Sequence, residues 1–128
     1  MKLIVCIDDK NGMLFNKRRQ SRDKILIENV LELCKGEKLY TNDYSATLFP
    51  ENSVAVRENF DAVEKGFVFA ENFMVDEDKI QEIIIYKWNR VYPADTFFNI
   101  SLDNWNLTET VEFVGSSHEK ITRERYVR

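Results

Sequence analysis

The chain opens with an unbroken apolar run, residues 3–7 (LIVCI), rich in β-branched side chains and closed by the turn residues of DDKNG. A strand covered on one face alternates, whereas a continuous run predicts a strand buried on both. From residue 21 the period changes. Leu26, Val30, Leu33 and Cys34 share one helical stripe, with Ile27 and Leu31 beside it. Ser21 is placed to cap that helix, Asp23 to complement the positive end of its dipole, and Gly36 to end it.

Three short strand-like runs follow: KLYTN (38–42), SVAVRE (53–58) and GFVFAE (66–71). Between the first two, DYSATLF predicts a turn or two of helix, and VDEDKIQ (75–81) predicts another short one. The last third reads as strand throughout. EIIIYKWNRV (82–91) forms a long strand, and EKITRERYVR (119–128) returns on WNLTETVEFVG (105–115) across SSH. In these last two, Leu107, Val111 and Phe113 alternate with Thr and Glu, which predicts one solvated face. The expected class is α/β: a single mixed sheet flanked by helices, with a C-terminal antiparallel hairpin, as one domain over 1–128.

Composition narrows the function. The net charge of −4 and pI near 5.1 disfavour a protein that coats nucleic acid, which needs a basic face. Five apolar residues before Asp8 are too few for a secretory core, and no run approaches the roughly 20 residues of a membrane span. A cytoplasmic, non-membrane protein is expected, with Cys6 and Cys34 as buried reduced thiols. No metal motif, P-loop or dinucleotide fingerprint occurs.

Several residues could carry chemistry. Asp23, a carboxylate at a helix start, can bind an amidine-like edge or simply complement the dipole. The segment 16–24 (NKRRQSRDK) holds five cations, among them Arg18, Arg19 and Arg22, suited to phosphate contact or to a solvated loop. In GSSHEK (115–120), Ser116, Ser117, His118 and Glu119 are of nucleophile, base and acid type. On a strand, neighbours point to opposite faces, so spacing argues against a local triad; His118 can still act with distant partners. Trp88, Arg90 and Tyr92 fall on one face at strand spacing, which predicts an Arg between aromatics; the set Phe97, Phe98, Trp88, Tyr92 and Trp105 can line a pocket, with core packing the stronger reading for most of them.

The segments LIVCIDDKNGMLF, SRDKILIENV, ADTFFNISLDNW and SSHEKITRERYVR together resemble the dihydrofolate reductase family over nearly the whole chain. The resemblance implies its mixed sheet, places Asp23 at the pterin-binding carboxylate, and puts Tyr86 at or near a pterin-side Thr. It also implies an NADPH grip made of Gly-Arg-x-Thr after the second strand and a later Gly-Gly turn. Here those stretches read YTNDYSATLF and FVFAENF, and Gly-Gly occurs nowhere. An acidic group at a phosphate position repels its ligand.

The run RRQSRD…WNRVYPADTFF…GSSHEKIT is also similar to small Firmicutes proteins of contracted form, some labelled ribonuclease Z. That label implies a dinuclear zinc site built from several histidines, and this chain has one. The expected function is therefore a bacterial reductase-like scaffold with a degenerate cofactor site and no cofactor, binding a small molecule or a protein. Asp23, Arg18, Arg19, Arg22, Tyr86 and His118 are its candidate ligand-binding residues. The alternatives are an NAD(P)H-dependent reductase with an altered grip and a metal-independent RNA-processing protein.

Overall fold

The computed structural model describes residues 1–72 and 75–128. In chain order its elements are β1 (Lys2–Ile7), β2 (Gly12–Phe15), β3 (Arg18–Arg19), α1 (Lys24–Leu33), β4 (Leu39–Thr41) and α2 (Asp43–Ala46). They continue with β5 (Ala55–Val56), β6 (Phe67–Phe69), β7 (Glu82–Lys87), β8 (Thr96–Phe97), β9 (Asn106–Phe113) and β10 (Ile121–Val127).

Seven strands form a mixed sheet in the order β5-β4-β6-β1-β7-β10-β9. β1 lies at its centre, parallel to β6 and β7, with Leu3 level with Val68 and Ile83. β10 runs antiparallel to both β7 and β9, which makes the C-terminal hairpin. The apolar run of β1 is explained by this position. Leu3, Val5 and Ile7 pack on one side with Ile83, Ile85, Phe98 and Trp105. Ile4 packs on the other with Ile84, Tyr86 and the Leu26–Val30 stripe of α1. Ile4 and Ile84 are wholly buried, each contributing about 1.5–3 kcal/mol of transfer free energy.

Five expectations are corrected. The sheet is not single: β3-β2-β8 forms a second, antiparallel one. Its β2–β3 hairpin turns on Asn16 (φ 49°) and Lys17 (φ 61°), two positive-φ residues that match the right-handed strand twist. The long strand expected over 82–91 stops at Lys87, because Asn89 adopts φ 60° and donates its amide to Lys120 O and Thr122 Oγ1. Residues 75–81 make only one 3₁₀ turn, Glu77–Lys79, and 53–58 only Ala55–Val56. β9, the outermost strand, has exposed residues on both faces, Leu107 among them.

Cys34 is buried, Cys6 half-buried, and both are free thiols. Among the described residues no helix is long and apolar enough to cross a membrane.

Candidate functional site

α1 is capped by Asp23, not by Ser21. Asp23 is extended (φ −148°, ψ 123°), and its Oδ1 accepts from Ile25 N at 3.0 Å and Leu26 N at 3.1 Å. Lys24 N donates to Ser116 Oγ and Ile27 N to Asp23 O, so the free N–H groups of the helix start are all satisfied. The same carboxylate holds the loop between β9 and β10. Ser116 donates from N and Oγ to Oδ1, at 2.9 and 3.1 Å. Ser117 N donates to Oδ2 at 2.8 Å, and His118 Nδ1 stands 3.0 Å from the same oxygen.

The Asp23 side chain is fully buried, and burial alone raises a carboxyl pKa. The N–H groups of Ser116 and Ser117, His118 and Leu26 together outweigh burial and hold this one far below the usual carboxylate range. Asp23 is therefore ionised and accepts only, so the proton of His118 sits on Nδ1. His118 Nε2 then faces two hydroxyls, Tyr92 at 2.9 Å and Ser21 at 3.2 Å. Trp88 stacks on the imidazole at 4.6 Å between centroids. This corrects the expected Arg sandwich, since Arg90 lies exposed beyond the end of β7 and the ring on Trp88 is that of His118. Glu119 is exposed and takes no part.

Tyr92 is fixed at both ends. Its N–H donates to Asp8 Oδ2 at 3.1 Å while its hydroxyl meets His118. Asp8 is itself buried. Burial acts to raise its pKa, but hydrogen bonds from the backbone of Tyr92, Gly12 and Lys10 and from Gln20 leave it lowered.

A second polar centre lies between β3, α2 and the end of β6. Arg19 forms a two-pronged pair with Glu71, Nε to Oε2 and Nη2 to Oε1, both at 3.0 Å. Ser45 Oγ donates to the same Oε1 at 2.8 Å. Arg19 also lies over the Tyr44 ring at 4.3 Å and donates from Nη2 to Tyr44 O. Glu71 is a residue that sequence reasoning missed. The signal was an acidic residue in FVFAENF, the stretch that the resemblance sets against a Gly-Gly turn; Phe73 of that stretch lies outside the described residues.

The remaining candidates separate. Tyr86 is completely buried, T-shaped against Phe113, and donates to Asn29 Oδ1 at 2.6 Å; burial pushes its phenol pKa up. Arg18 and Arg19 line a cavity of about 470 Å³ with Gln20, Tyr92 and Pro93. Arg22 lines a different one of about 440 Å³, walled by Ile27, Leu31, Leu48, Phe49 and Pro50. The three arginines thus do not form one basic face. Asp23 borders this second cavity with its carboxylate turned to the loop donors. Among the described residues no group of three or more His, Cys, Asp or Glu could hold a metal ion.

No family model matches the chain, and no curated protein does. Among solved structures it is similar to dihydrofolate reductase from Enterococcus faecalis complexed with NADP(H) and RAB-propyl. The TM-score is 0.73 at 15% identity, covering 99% of this chain and 95% of that one. Nothing in these comparisons supports the ribonuclease Z label. With that similarity over nearly the whole of both chains, the chain has a dihydrofolate reductase-like α/β fold.

Proposed function

We propose that this chain is a binding module on a reductase-like scaffold that does not use NADPH. A flat, largely apolar small molecule is taken in the cleft between α1 and residues 48–50. One observation carries the reading: the Glu71 carboxylate, held by Arg19 and Ser45, lies in the stretch FVFAENF that the family resemblance sets against a Gly-Gly turn. A pyrophosphate needs backbone approach and positive charge at that place. Here a buried carboxylate already takes the Arg19 fork and the Ser45 hydroxyl, and Asp43 adds a second acid at the start of α2. The residues present do not fit a dinucleotide.

What supports a ligand in the cleft is its size and lining. Its volume of about 440 Å³ lies in the ordinary range for small-molecule sites. Ile27, Leu31, Leu48 and Phe49 supply the apolar wall, with Arg22, Lys24 and Glu28 at the rim. Asp23 acts here as a positioning residue, holding α1 against the hairpin loop rather than touching ligand. The natural setting of such a module is the cytoplasm. A set of flat heteroaromatic compounds, followed by backbone amide NMR shifts, tests the reading. Saturable shifts at Ile27, Leu31, Leu48 and Phe49, unchanged by added NADPH, are expected. Shifts confined to other regions, or none across the set, refute it.

A further inference from the structure

Arg22 and Lys24 flank the residue that fastens α1 to the hairpin loop, and both line the cleft of about 440 Å³. Their backbones are pinned by that junction. Lys24 N donates to Ser116 Oγ at 2.9 Å, and Arg22 O accepts from Ser117 Oγ at 2.9 Å. Their head groups are free: both residues are exposed, and neither side chain makes an ion pair or hydrogen bond among the described residues. Arg19, by contrast, is committed to Glu71. Asp23 between them is extended (φ −148°), and extended backbone sends successive side chains to opposite sides. With the Asp23 carboxylate turned to the loop, its two neighbours turn to the cleft.

Asp23 itself has nothing left to offer a ligand. Oδ1 accepts from Ile25 N, Leu26 N and Ser116, and Oδ2 from Ser117 and His118. These donors fill the lone-pair sites of a carboxylate. A cationic or amidine-like edge thus finds no free acceptor there. The other acid of the lining, Glu28, is exposed and stands one turn further along α1.

We propose that the cleft takes an organic anion, with a flat aromatic body against Ile27, Leu31 and Phe49 and a carboxylate-like head held by Arg22 and Lys24. This rests on the cleft being the ligand site, and adds the sign of the ligand's charge. Arg supplies a planar donor fork and Lys a mobile point charge, which together suit one planar acid group. The helix start contributes no free N–H, since its donors are all satisfied. Two exposed side chains do the recognising, so the gain is moderate and screened by salt.

One ring system with three heads separates charge from shape. Naphthalene carboxylate, carboxamide and carboxamidine are anionic, neutral and cationic at neutral pH. Each is titrated into the full chain and followed by backbone amide NMR shifts at Ile27, Leu31, Leu48 and Phe49. At low salt the carboxylate is expected to bind about five- to tenfold more tightly than the carboxamide, and the carboxamidine most weakly. Most of that preference is expected to vanish at about 0.5 M salt. In the double variant Arg22→Gln with Lys24→Gln, carboxylate and carboxamide are expected to bind within about twofold of each other. Both positions are exposed, and the amide spectrum itself reports whether the variant is folded. Carboxamide or carboxamidine binding as tightly as carboxylate overturns the proposal and leaves the cleft reading standing. A carboxylate preference that survives the double variant does the same. Shifts at those residues from none of the three remove both.

Discussion

His118 Nδ1 lies 3.0 Å from Asp23 Oδ2, across 95 residues of sequence, and both side chains are buried. That contact fastens the C-terminal hairpin loop to the start of the long helix. The carboxylate caps α1 with one oxygen and receives the loop with both. A substitution at Asp23 therefore acts on two elements at once.

Acid stability follows from this. The folded-state pKa of Asp23 is lowered, so below the ordinary carboxylate value of about 3.9 the unfolded chain binds more protons than the folded one. Its stabilisation is present above that value and lost as pH falls further. Asp8, whose burial is outweighed by its hydrogen bonds, and Glu82, lowered chiefly by Arg125, have the same sign. Asp23→Asn is expected to cost about 2–4 kcal/mol at neutral pH and to flatten the fall of melting temperature in acid. Thermal melts from about pH 7 down to pH 2 measure both.

Gly115 tests the same junction sterically. A Cβ there meets Asp23 Oδ2, its Cγ at 2.9 Å and Ile121 Cδ1 at 2.8 Å. The carboxylate cannot retreat without giving up its loop donors. Gly115→Ala is expected to destabilise by about 2 kcal/mol or more, read from urea unfolding at unchanged m. A cost within about 0.5 kcal/mol contradicts the described packing.

The Arg19–Glu71 pair predicts a strong asymmetry. Both side chains are largely buried, so Glu71→Ala leaves an uncompensated guanidinium and is expected to cost about 3 kcal/mol. The double change Arg19→Met with Glu71→Met is expected to cost much less than the sum of the two single changes. A double-variant cycle by chemical denaturation checks it, and additive losses contradict it.

The sequence made some of this legible and concealed the rest for physical reasons. β1 and β7 are apolar on both faces because they are covered on both, and such runs announce themselves. The stripe of Leu26 and Val30 does the same for α1. The second sheet does not, since β3 has two residues and its turn places Lys17 at positive φ, where propensity expects Gly or Asn. Ser21 and Asp23 are equally good caps by type, and the loop donors from Ser116 and Ser117 favour Asp23. Asp23 and His118 each stood out singly. Their pairing depends on a hairpin loop folding back onto a helix start, which no local spacing encodes. Glu71 reads as a strand end until Arg19 and Ser45 are seen around it.

The most direct test of the central claim is a titration of the full chain with NADPH, followed by the fluorescence of Trp88 and Trp105 at low salt and neutral pH, with ADP-ribose as control. With Glu71 holding Arg19 and Ser45, no saturable change is expected up to millimolar dinucleotide. Saturable micromolar binding, competed by ADP-ribose, contradicts the account and returns the chain to the reductases.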